Sequence, residues 1–153
     1  MTGTWLGDLP APVTRGVTWK ERTVGECGDR LLALVVDDDL DTREMYGIYL
    51  RTRGFRVLLA TNGIEAIELA EREQPAVIVM DLMMPRLNGW EATRRLKAGG
   101  RTRRIPIIAC TGGRIGSSAE RALEAGCDGY LTKPCSPEHL LAEIRRVLRP
   151  AGV

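Results

Sequence analysis

The chain has 153 residues, 44% of them hydrophobic, 27% charged and 5% aromatic, with a formal net charge of +2. That length suits one ordinary domain whose core can fold unaided, and hardly two. The balance of 22 Lys and Arg against 20 Asp and Glu excludes a polycation or an acidic disordered chain, and no run of about 18 apolar residues or signal-peptide pattern occurs, so a cytoplasmic protein that does not span a membrane is expected.

Residues 1–29 carry five glycines, two prolines and two of the three tryptophans without a sustained period, and are expected to be an irregular or disordered leader. Within it, Val13 to Trp19 alternates weakly and suits at most one short strand, while Trp5 and Trp19 are available to dock on the body or a partner. From Leu31 the pattern becomes regular. Leu31 to Val36 is a continuous apolar run, as a strand buried on both faces requires. A helix is predicted from Asp41 to Arg53, stopped by Gly54, with Met45, Ile48 and Tyr49 on its inner face. Phe55 to Ala60 reads as a strand, and Gly63 to Glu73 as a helix capped by Asn62 with Ile64, Ala66, Ile67 and Ala70 inward. Ala76 to Met80 is the third strand. Asn88 caps a helix through Ala98, Pro106 to Cys110 is the fourth strand, and Ser117 to Ala125 is helical. Asp128 to Thr132 is a short fifth strand. Ser136, with Pro137 at the first helical position, opens a last helix striped by Leu140, Leu141, Ile144, Val147 and Leu148 and stopped by Pro150. Strict alternation of five strands and five helices predicts an α/β fold, a doubly wound parallel sheet with helices on both faces. Residues 30–149 form this domain, and 150–153 a short tail.

Ligands of an open parallel sheet gather at the carboxyl ends of its strands, so the residues that end each strand matter most. The first strand ends in Asp37, Asp38 and Asp39, the third in Asp81, the fourth in Thr111, and the fifth runs into Lys133-Pro134. Clustered carboxylates repel one another until a proton or a cation intervenes. Hard oxygen ligands suit Mg2+, and a carboxylate left partly free beside it can attack phosphorus and form an aspartyl phosphate. Lys133 and Thr111 then supply charge and hydrogen bonding to the transferring oxygens. Asp39 and Asp41 are read instead as helix N-terminal acids that suit the dipole. Lys133 is one of only three lysines among the 22 basic residues, placed where a compact point charge is wanted.

Four segments, in this order and each at a strand end, resemble the receiver domain of two-component response regulators: Leu34-Val35-Val36-Asp37-Asp38-Asp39, Met80-Asp81-Leu82-Met83-Met84-Pro85 with Asn88-Gly89, Ile107-Ile108-Ala109-Cys110-Thr111, and Gly129-Tyr130-Leu131-Thr132-Lys133-Pro134. The resemblance covers Leu31 to Leu148. It implies a flavodoxin-like (βα)5 fold with strand order 2-1-3-4-5. Asp81 then resembles the phosphoacceptor served by a sensor histidine kinase or histidine phosphotransfer protein, and Asp37 and Asp38 the acidic pair that holds Mg2+ together with Asp81 and the main-chain carbonyl of Met83. Thr111 resembles the switch hydroxyl, Tyr130 the aromatic that turns inward behind it, and Lys133 the phosphate partner, with a cis Lys133-Pro134 bond. Glycines at 112 and 113 and Cys135 depart from the family's usual residues. They imply a mobile loop after the fourth strand and looser packing at the start of the last helix.

The resemblance implies a stand-alone phosphorylation switch with no conventional enzyme activity beyond self-catalysed phosphorylation and dephosphorylation. Its output would be a contact with a downstream protein target, a phosphorylation-dependent homodimer being one form of it. A phosphate-independent adaptor of the same shape is the alternative, and the repelling carboxylates argue against it. A phosphatase with D-x-D-x-[TV] fails, because Asp37-x-Asp39 is followed by Asp41. The glycine-rich run after Thr111 fits no nucleotide-binding pattern. Six basic residues from Arg94 to Arg104 face one acid, but no aromatic or helix-turn-helix element accompanies them, so a solvated face is expected and nucleic acid is not. Cys27, Cys110, Cys127 and Cys135 form no C-x-x-C, and His139 is the single histidine, so buried reduced thiols are expected and a Cys/His zinc site or a histidine-based triad is not.

Overall fold

The computed structural model describes residues 30–112 and 117–149, apart from the side chains of Thr111 and residues 117–119. The expectations for residues 1–29, with Trp5, Trp19, Cys27 and the Val13–Trp19 strand, for the glycine loop beyond Gly112 and for the tail lie outside the described residues.

The alternation read from the sequence is realised as β1 (Leu32–Val36), α1 (Leu40–Thr52), β2 (Arg56–Ala60), α2 (Gly63–Glu73), β3 (Val77–Met80), α3 (Gly89–Ala98), β4 (Ile107–Thr111), α4 (Ser117–Ala125), β5 (Gly129–Thr132) and α5 (Pro137–Leu148). All four strand pairings are parallel, in the order β2-β1-β3-β4-β5. The order reverses direction between β1 and β3, and their carboxyl ends carry Asp37 and Asp81. Among the described residues no helix is long and apolar enough to cross a membrane.

Each strand projects alternate residues to opposite faces, which divides the core in two. Leu34, Val36, Ile78, Met80, Ile107 and Ala109 pack with α2, α3 and α4 through Ala66, Ala70, Trp90, Leu96 and Ala122. Ala33, Val35, Val77, Val79, Ile108 and Cys110 pack with α1 and α5 through Tyr46, Leu50, Leu140 and Ile144. Asn62, Asn88 and Ser136 cap their helices as the sequence indicates, and Asp39 caps α1; each accepts a hydrogen bond from the backbone N–H three residues on.

One helix is rotated from its predicted phase. Met45 and Ile48, expected inward, are 43% and 57% exposed, and α1 buries Tyr46, Gly47 and Leu50 instead, with Tyr49 half-buried. The reason is packing against β2: a Cβ at position 47 would meet Leu59 Cδ2 at 3.3 Å, so the glycine lets the strand approach. Tyr46 is accepted into the core because its hydroxyl finds a buried carbonyl. Ile64, also expected inward, is exposed, while Ala66 and Ala70 carry the buried stripe of α2.

Candidate functional site

β1 and β3 run side by side in register, pairing Val36 with Met80, so the residues that follow them, Asp37 and Asp81, emerge as neighbours at the mouth of the sheet. Both are buried, at 3% and 5% exposure, whereas Asp38 is exposed. One carboxylate oxygen from each of Asp37, Asp38 and Asp81 lies within 4.8 Å of the others. From beyond β4, the residues that follow β5 bring in Lys133, whose Nζ stands 2.6 Å from Asp37 Oδ2 and 3.6 Å from Asp81 Oδ2.

Every polar group of Asp37 is engaged. Its N–H donates to Ala60 O at 3.1 Å, its Oδ1 accepts from the Asp39 N–H at 2.9 Å, and its carbonyl accepts from Arg43 Nη1 at 2.8 Å. Asp81 is held more loosely: its Oδ1 accepts from the Met83 N–H at 3.1 Å. Burial, followed by the neighbouring charge of Asp37, raises the Asp81 carboxyl to about 6, against the pull of Lys133 and the Met83 hydrogen bond. Burial works against the Lys133 ammonium, but its hydrogen bond to Asp37 and the charges of Asp81 and Asp37 prevail and raise it. Three carboxylates facing one ammonium form a donor set of hard oxygens with room for one more cation, which fits Mg2+ and not a soft metal.

α3 is set against this site by a close approach. Gly89 sits under the peptide of the phosphoacceptor candidate, where a Cβ would collide with Asp81 O and come within 2.7 Å of Leu82 Cα. Asp39 stays outside the cluster and caps α1, accepting from Thr42 N and Oγ1 at 2.9 and 2.6 Å. The Thr42 hydroxyl, with its backbone N–H, lowers the Asp39 carboxyl below its usual value. Met83 is exposed beside Asp81. Thr111 ends β4 in register with Thr132, but its side chain lies outside the described residues. Tyr130 is half-buried against the core of α2, α3 and α4, and its hydroxyl is buried without a hydrogen-bond partner. The Lys133-Pro134 bond is cis.

The other chemistry-bearing residues do not join the site. Arg94 and Arg95 each pair with Glu91 at 3.2 Å, and Lys97 bonds Asp128 Oδ2 at 3.0 Å and Ile105 O at 2.9 Å, so part of the basic stretch is internally compensated. Cys110, Cys127 and Cys135 are free and buried, and His139 is exposed in the first turn of α5. Two side chains near the site, Arg43 and Tyr46, were not singled out from the sequence. Arg43 left a signal, a cation near the helix end where the dipole favours acids.

The model of the response regulator receiver domain matches residues 33–145. The chain belongs to that family. Phosphorylation and Mg2+ binding are typical of it. A response regulator MprA from Mycobacterium leprae (strain TN) is 43% identical over 116 residues, which are 76% of this chain and 50% of that protein. The chain thus spans about half the length of the curated relatives it matches. Among solved structures, the chemotaxis response regulator CheY4 of Vibrio cholerae superposes with a TM-score of 0.74 at 30% identity, over 78% of this chain and 99% of that one. The receiver domain of the sensor histidine kinase PA1611 from Pseudomonas aeruginosa PAO1 does so with a TM-score of 0.72 at 36% identity, over 76% and 96%. That structure has a magnesium ion coordinated in its active site cleft. The receiver resemblance and the flavodoxin-like strand order expected from the sequence are both borne out.

Proposed function

We propose that this receiver accepts a phosphoryl group on Asp81 from a phosphohistidine of a sensor histidine kinase or a histidine phosphotransfer protein. The observation that carries the reading is a buried carboxylate within reach of two further carboxylates and 3.6 Å from an ammonium. Asp37, Asp38, Asp81 and the main-chain carbonyl of Met83 would hold Mg2+, which when bound offsets negative charge on the phosphoryl oxygens. The Asp81 oxygen forms the new bond to phosphorus as the P–N bond to the donor imidazole breaks, and the imidazole leaves with a proton. Lys133 turns from Asp37 towards the new phosphoryl oxygens, and Thr111 supplies them a hydroxyl donor. Attack by water on the same phosphorus later returns the carboxylate and releases inorganic phosphate.

The phosphoryl group then biases an equilibrium between two arrangements of the α4 and β5 face, with Thr111 and Tyr130 as the moving parts. We propose that output runs through a contact made by that face to a downstream protein or to a second copy. Incubation with a small acyl phosphate and Mg2+ should add one phosphoryl group by intact mass, and Asp81→Asn should add none. No gain in the wild type, or an equal gain in the variant, would sink the reading. For the output, sedimentation of the chain alone should show a change of oligomeric state on phosphorylation where the contact is with a second copy, and a monomer in both forms would assign the contact to a downstream protein.

A further inference from the structure

Two side chains with no place in the phosphoryl chemistry reach from α1 to both halves of the site. Arg43 Nη1 donates to the main-chain carbonyl of Asp37 at 2.8 Å. Three residues on, and so on the same face of the helix, Tyr46 Oη donates to the carbonyl of Cys135 at 2.8 Å. The first carbonyl belongs to the corner that carries Asp37 and Asp38. The second lies two residues beyond Lys133, immediately after the cis Lys133-Pro134 bond. One helical turn therefore grips the acidic corner and the loop that carries the ammonium.

Both contacts are of a kind that fixes backbone. Tyr46 is 2% exposed, and its hydrogen bond to the Cys135 carbonyl is buried. A buried carbonyl keeps its partner because water cannot replace it. Arg43 is half-buried and completes the set of bonds around Asp37, whose N–H and Oδ1 are held by Ala60 and Asp39. Neither side chain is bonded to Asp81 or Lys133, so each acts through the segment it holds.

We infer that Arg43 and Tyr46 are positioning residues for phosphoryl transfer, Arg43 setting the carboxylates that receive the metal and Tyr46 setting the reach of Lys133. The inference rests on the function proposed above. The 3.6 Å gap between Lys133 and Asp81 leaves little latitude, because small misplacements of a group that must meet a transferring phosphoryl are expensive in rate.

The two tethers predict opposite kinetic splits. With an acyl phosphate donor, Tyr46→Phe should lower the phosphorylation rate at saturating Mg2+ about three- to tenfold, the scale of one hydrogen bond, with half-saturating Mg2+ held within about twofold. Arg43→Met, which keeps an unbranched stem without a donor, should raise half-saturating Mg2+ by a similar factor and leave the saturated rate within about twofold, and Arg43→Lys, which can still donate to the carbonyl, should recover part of the loss. Assays run well below each variant's melting temperature separate these effects from unfolding. Variants that melt earlier but keep both parameters within about twofold of wild type, or that move both in parallel, would overturn the inference. Mg2+ titration by calorimetry reads the Arg43 arm without phosphorylation, so a wild type that takes up no phosphoryl group would defeat the proposed function and still leave this arm measurable.

Discussion

Burial and the charge of Asp37 raise the Asp81 carboxyl above its ordinary range. Its folded value of about 6 lies above the ordinary 3.8, so ionising it in the metal-free chain opposes folding by about 3 kcal/mol. A raised carboxyl gives a penalty that is absent below about pH 4 and complete once pH has passed about 6. In EDTA, Asp81→Asn should therefore match wild type in urea denaturation near pH 4 and become the more stable of the two by pH 7. A difference that stays flat across that range would show the carboxyl is not held up. At this scale much was legible: Asp37, Asp38 and Asp81 announce themselves because a charged side chain directly after a buried apolar run needs a partner, and Lys133 stands out as one of only three lysines among 22 basic residues. Arg43 and Tyr46 were not, because each acts through a main-chain carbonyl, and the sequence does not show which carbonyl a side chain will meet. Asp39 illustrates the converse. It sits in the same acidic run as Asp37 and Asp38, yet Thr42 claims it as a cap.

Among the elements, α2, α3 and α4 have the bounds predicted for them, and the strands begin or end within a residue of expectation. Caps and stop signals carry that information locally. The phase of α1 did not follow, because the apolar residues Met45, Ile48 and Tyr49 suggested one face while a glycine and a tyrosine defined another. Gly47 adds nothing to a count of hydrophobic residues, and its burial reflects the closeness of Leu59 in β2, a tertiary fact. The rotated phase makes a sharp distinction between neighbours. Leu50→Ala, at a fully buried position, should lower stability by about 2–5 kcal/mol, whereas Ile48→Gln should stay within about 0.5 kcal/mol. Chemical denaturation of the two variants checks it, and comparable losses would mean that α1 packs in the other phase.

At the scale of the whole sheet, two cores lie on opposite faces and, among the described residues, share no helix, and the site lies where strands from the middle of that sheet end. A cation bound there engages β1 and β3 together, so it should stabilise the domain globally. Titrating Mg2+ should raise the melting temperature progressively, as the unfolding free energy gains about 2.7 kcal/mol at a concentration one hundred times the dissociation constant. EDTA should reverse the gain, and Asp37→Asn with Asp38→Asn should abolish it. A melting temperature indifferent to Mg2+ would contradict the metal assignment. The alternation of strands also has a consequence for how the chemistry is protected. Asp37 continues the odd-numbered row of Ala33 and Val35, Asp81 that of Val77 and Val79, and Lys133 follows Leu131, all on the side covered by α1 and α5. Asp37, Asp81 and Lys133 are the last rung of one row of the pleat, and their assembly depends on counting. Deleting Val79 alone, a residue with no polar atom in its side chain, would turn Asp81 to the opposite side of the sheet, put Leu82 in its place and disarm the site with every one of its charges still present.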